Sequence, residues 1–151
     1  MVHEFIVACK NNDLNKIQQM IQMKQMINMV HMDEGFAWAC HFGSIDVVKY
    51  LVLVGVDIHA RKEKGFRMAC MNGHINVVKY LIPLDVDIHA KEEEGFIWAC
   101  ENGHIDVVKY LVLLGVDINT INKDNFKKAC KNGHIDVVNY LVELGVDINA
   151  K

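Results

Sequence analysis

The chain repeats itself every thirty residues. Phe36, Phe66, Phe96 and Phe126 stand at that spacing, and each opens a near-copy of one unit. From Phe96 to Leu111 the unit reads Phe-Ile-Trp-Ala-Cys-Glu-Asn-Gly-His-Ile-Asp-Val-Val-Lys-Tyr-Leu. A Val-Asp-Ile-Asn or Val-Asp-Ile-His segment then leads toward the next Phe. A degenerate copy, Phe5-Ile6-Val7-Ala8-Cys9, precedes these by a step of 31 residues. Five units, at about 1–34, 35–64, 65–94, 95–124 and 125–151, therefore fill the 151 residues as a single domain. A period of this length belongs to chains whose units bury their apolar faces against their neighbours.

Each unit predicts two helices. The first runs over about eight residues from the Phe, and a glycine such as Gly103 ends it in the left-handed conformation. His104, or Ser44 in the first full copy, sits at the N-cap of the second helix. Ile105, Val108, Leu111 and Val112 follow at helical spacing and form its apolar face. Pro83 removes a helical hydrogen bond in the second full copy, and Asp85 replaces the closing glycine there. That second helix is expected to end early and to fray.

The Asn-Gly-His-Ile-Asp-Val-Val-Lys-Tyr-Leu-Val block and the Gly-Val-Asp-Ile-Asn-Ala segment resemble the ankyrin repeat, over roughly residues 3–151. The resemblance implies an all-α solenoid of stacked helix-turn-helix units. Two features depart from the family pattern. The Thr-Pro-Leu-His opening is absent, and the period is 30 where the family has about 33. The missing residues fall in the β-hairpin connectors, which are expected to be shortened. Both departures resemble ankyrin proteins of large DNA viruses of amoebae, and the Lys-, Asn- and Ile-rich composition agrees with an AT-rich source.

Repetition accounts for most residues that suggest chemistry. The ten glycines occupy three offsets of the unit, so none is left for a phosphate-binding loop. Cys9, Cys40, Cys70, Cys100 and Cys130 form a ladder beside the same Ala. The implied stacking step exceeds the Cα separation of about 7 Å that a disulfide allows, so they read as small buried apolar residues. Free thiols fit a reducing compartment. The row Asp57, Asp87, Asp117 and Asp147 precedes a turn and is expected to accept local backbone hydrogen bonds. His74, His104 and His134 read as cap and packing residues. One Ser and one Thr leave little room for hydroxyl nucleophiles, and no pair of carboxylates stands in unequal surroundings. No enzyme activity, cofactor or metal is expected. Met20, Met23, Met26, Met29 and Met32 recur at every third position, and soft thioethers favour Cu(I). Helix 2 followed by a connector is the simpler account of them.

The formal charge of −3 argues against a nucleic-acid partner. No apolar run approaches the roughly 20 residues of a membrane span. The start, Met1-Val2-His3-Glu4, has no basic region before an apolar stretch, so no secretory signal is expected, and the setting is cytoplasmic.

Function must then lie at offsets that vary between copies. On a helix turning about 100° per residue, the second, third and sixth residues, counting Phe as the first, lie opposite its core face. In the ankyrin architecture that side lines a concave groove. The partner-binding residues expected there are Trp38, His41, Phe42, Arg67, Met68, Met71, Ile97, Trp98, Glu101, Lys127, Lys128 and Lys131. Trp38, Met68 and Trp98 form an apolar row, and the three lysines a basic end. The partner is a protein, since Trp anchors dominate protein interfaces. The competing account makes the two Trp side chains fillers of the space left by short connectors. The connectors 61–64, 91–94 and 121–124 are charged and expected to be solvated, or to rim the site. The last unit keeps its apolar pattern to the end, which opens a second reading: structural self-association through the C-terminal repeat.

Overall fold

The computed structural model describes residues 1–23 and 27–147. Its helices are α1 (Val2–Lys10), α2 (Leu14–Gln22), α3 (Met29–Phe42), α4 (Ile45–Leu53), α5 (Ala60–Met71), α6 (Ile75–Leu81), α7 (Ala90–Glu101), α8 (Ile105–Leu113), α9 (Lys123–Lys131) and α10 (Ile135–Glu143). Odd-numbered helices pack on odd-numbered neighbours and even on even, and each odd helix packs on the even helix that follows it. The result is two helical layers stacked unit upon unit. No described residue is in a strand.

The repeated Phe explains the stacking. Phe5, Phe36, Phe66 and Phe96 are almost wholly buried, together with Cys9, Cys40, Cys70 and Cys100. Valines and leucines of the even helices, such as Val107, Val108 and Leu111, complete the core. Gly65 lets α5 approach α3: a Cβ there would stand 2.5 Å from Cε1 of Phe36. An alanine would push the two units apart.

The helix-2 histidines stack rather than cap. His74, His104 and His134 make no side-chain cap hydrogen bond. Each lies on the glycine of the preceding unit, at Gly43, Gly73 and Gly103. Nε2 of His74 is 2.8 Å from the carbonyl oxygen of His41. Ser44 repeats this contact in smaller form, donating its hydroxyl to the carbonyl of Lys10 at 3.0 Å. The glycine is thus needed twice, for its positive φ and for its missing side chain.

The connectors differ from the expected short hairpins. Arg61, Lys62 and Glu63 all adopt left-handed φ/ψ, and Lys91, Glu92 and Glu93 repeat the turn. Three residues too few for a pair of strands leave one tight left-handed turn to reverse the chain. The chain enters α3 and α9 through asparagine caps: Asn28 forms a capping box with His31, and Asn122 with Asn125. The Asn28 cap starts α3 at Met29, well before Phe36. Met29 and Met32 therefore lie in a helix and not in a connector, with Met32 buried and Met29 exposed. Met20 is buried in α2, Met23 is exposed just after it, and Met26 lies outside the described residues.

The aspartate row behaves as expected where described. Asp57, Asp87 and Asp117 accept from the N–H two residues on, at 3.0, 2.9 and 2.9 Å. Helix α6 ends early, at Leu81, and a 3-10 turn over Ile82–Leu84 carries the chain to Asp85, whose φ is 68°.

Candidate binding face

The varying positions of the odd helices come together on one side of the stack. Ala37, Trp38, His41, Lys64, Met68 and Met71 line a concave pocket of about 120 Å³ between α3 and α5. The Trp38 ring meets His41 edge-on at 5.4 Å between centroids and lies 6.1 Å from Phe42. Phe42 is half exposed, whereas Trp38, Met68 and Met71 are partly covered. Helical spacing puts these side chains on one face, and the flexible thioethers fit around the rigid ring.

Lys10 was not singled out by the sequence, yet it belongs to this face. Its Nζ stands 3.9 Å from the Trp38 centroid and 5.8 Å from that of Phe42. It occupies the sixth place counting Phe5 as the first, the column of His41 and Met71. Aligning the degenerate first unit with the others is the signal that finds it. Lys64, placed with the connectors by sequence, is a wall of the pocket.

His41 is held neutral. Burial pushes its pKa down, and His74 and Lys10 add to the effect. Nδ2 of Asn72 donates to its Nδ1 at 3.0 Å, and also to the Met68 carbonyl at 2.9 Å.

Arg67 is a correction. The helical wheel aims it away from the core, but it is 5% exposed. The left-handed turn brings the carbonyls of Arg61 and Lys62 back over α5, where the guanidinium donates to both, at 3.0 and 2.8 Å. Its remaining face pairs with Glu94 of the next connector and lies 5.7 Å from the Trp98 centroid. Arg67 is a clamp between units, not an open contact residue. Glu63 and Glu93 also depart from solvated connectors. Both are buried, with Oε1 on Nδ1 of His59 and His89 at 2.8 and 2.5 Å. Their Oε2 atoms are buried without a hydrogen-bond partner.

Toward the C-terminal end the face turns polar. Ile97 and Trp98 are partly covered. Glu101 accepts from Lys128 at 3.0 Å and from Asn125 at 2.8 Å. Lys127, Lys128 and Lys131 are exposed. The structure thus gathers Trp38, His41, Phe42, Met68 and Met71 in one cluster. Trp98 and the lysines stand further along the same face.

The cysteine ladder is buried at Cys9, Cys40, Cys70 and Cys100, but Cys130 is exposed. No described helix packs over it from beyond α9 and α10. Cys130, Gly133, His134, Ile135 and Val138 line a shallow hollow on that end, and nothing lies within 4 Å of the place a Cβ of Gly133 would take. Among the described residues, no three His, Cys, Asp or Glu side chains gather as a metal site would require, and no helix is long and apolar enough to cross a membrane.

A family model described as ankyrin repeats (3 copies) matches residues 36–122 and 66–151. No curated protein matches the chain.

Proposed function

We propose that this chain, which belongs to the ankyrin-repeat family, binds a partner protein through the face built by Trp38, His41, Phe42, Met68 and Met71. Ankyrin repeats bind proteins. The finer reading rests on one observation: an apolar, partly open pocket formed by residues that vary while the scaffold around them repeats. Trp and Met anchors in a partly desolvated pocket are the usual centre of a protein interface. Ile97, Trp98, Glu101, Lys127, Lys128 and Lys131 extend the contact area along the stack. The role is non-catalytic, without metal or cofactor, and the setting is inside a cell. The short period and the composition favour a viral source.

A pull-down from eukaryotic lysate with wild type and a Trp38→Ala, Met68→Ala, Trp98→Ala variant tests this reading. Circular dichroism checks that the variant folds. A protein retained by wild type and lost by the folded variant supports docking on this face. A variant that loses much of its melting temperature instead makes the tryptophans packing residues.

Self-association through the C-terminal unit is the second reading. It draws on the hollow at Gly133 and on Ile135 and Val142, which are 69% and 58% exposed. A head-to-tail stack would bring Asp13, at the place of the helix-2 histidine, onto that hollow. A carboxylate has no proton to donate to the waiting carbonyl, which counts against that arrangement. Light scattering across a concentration series decides: a constant monomer mass removes this reading.

A further inference from the structure

We infer that the segment docking on this face is acidic: an apolar side chain enters the pocket between Trp38, Met68 and Met71, and flanking carboxylates lie over Lys10 and Lys64. The inference rests on the docking proposed above and adds the partner's chemistry.

Size and lining set the first half. A pocket of about 120 Å³ walled by Ala37, Trp38, Met68 and Met71 suits one apolar side chain. Neutral His41 adds no charge to its rim.

Charge sets the second half. Lys10 holds its ammonium over Trp38, and among the described residues no carboxylate lies within ion-pairing distance of it or of Lys64. Two acids of the face are already paired: Glu94 with Arg67 and Lys91, and Glu101 with Lys128. Asp33, Glu34 and Asp57 share the adjoining hollow with Lys64, but none of them makes an ion pair with it. Lys127 and Lys131 continue the positive charge along the face, and among the described residues neither has an acidic partner. Lys10, Lys127 and Lys131 therefore leave unpaired positive charge on this face of a chain of formal charge −3. A basic segment would meet like charge, and the aromatic surface that attracts a cation already holds Lys10.

Short random peptides displayed on phage, selected on wild type, test the inference. A folded Trp38→Ala, Met68→Ala variant serves for comparison. The expected peptides bind wild type and not this variant, and carry Asp or Glu within two positions of an apolar residue. Lys10→Gln together with Lys64→Gln, both at the surface, should weaken the best of them about tenfold, and added salt should weaken wild-type binding. Peptides that need Trp38 and Met68 but carry no acids, or ignore the lysine replacements, overturn the inference and leave the docking face standing. Peptides that bind both proteins equally, or no enrichment at all, overturn the docking face and the inference together.

Discussion

The imidazole Nε2 of His74 lies 2.8 Å from the carbonyl oxygen of His41, across the boundary between two units, and its ring covers Gly43. His104 on Gly73 and His134 on Gly103 repeat the arrangement, and Gly133 stands open. All four glycines have positive φ, between 70° and 76°. Backbone and packing demands can therefore be separated within one protein. Gly133→Ala meets backbone strain alone and should cost about 1 kcal/mol. Gly73→Ala must also displace an imidazole ring and should cost about 3 kcal/mol. Urea unfolding midpoints measure both. Equal losses would show that the histidine contact carries no packing weight.

Thiol chemistry should report the open end. Burial pushes the Cys9 thiol up to about 12, Cys70 and Cys100 higher still, and Cys40 well above its ordinary value. The thiolate is the reactive form, so these four should stay silent toward an aromatic disulfide reagent in the native protein. Cys130 is exposed and should react at once. The native chain should give one fast equivalent, and Cys130→Ser should give none. Two or more fast equivalents would mean that the stack opens at an inner unit.

The histidines pull stability in opposite directions with pH. Hydrogen bonds to Glu63 and Glu93 raise the pKa of His59 and His89. A raised folded pKa gives stability that is fully present below the unfolded value of about 6.5 and is lost as pH rises through the folded value. His41 and His104 are lowered, chiefly by burial. Their stability is present above about pH 6.5 and is lost as pH falls through the folded value. Asn119 shows which residue suits the turn without a titrating ring. Replacing His59 and His89 by Asn should leave the protein close to wild type near pH 8 and less stable by a few degrees in melting temperature below pH 6. A gap that does not change with pH would remove the ion-pair account.

The period, the two helices, the Phe core and the local role of the aspartates were all legible in the sequence, because each recurs and recurrence marks scaffold. The early end of α6 was legible because Pro83 and Asp85 break the pattern. Three things were not. The left-handed turns at 61–63 and 91–93 lack any glycine to announce them. The burial of Arg67 follows from those turns, since their carbonyls are what the guanidinium meets. Lys10 belongs to the binding face through a contact between units, which a helical wheel of one unit does not contain.

The second full copy should be the soft point of the stack. Asp85 holds a left-handed φ of 68° at the place where Gly55, Gly115 and Gly145 stand in the other copies. Its Cβ makes that conformation costly, and Asp85→Gly should stabilise the protein by about 1 kcal/mol. Pro83 ends α6 at Leu81, while α4 and α8 continue for two more residues. The shortened helix loses backbone hydrogen bonds that would otherwise hold its last turn. Amide exchange over residues 79–85 should be faster than over 49–55 and 109–115, and Pro83→Leu, the residue found at Leu53 and Leu113, should slow it. Exchange equal to the other copies in wild type would mean that packing of Leu81 against the neighbouring units compensates for the missing turn.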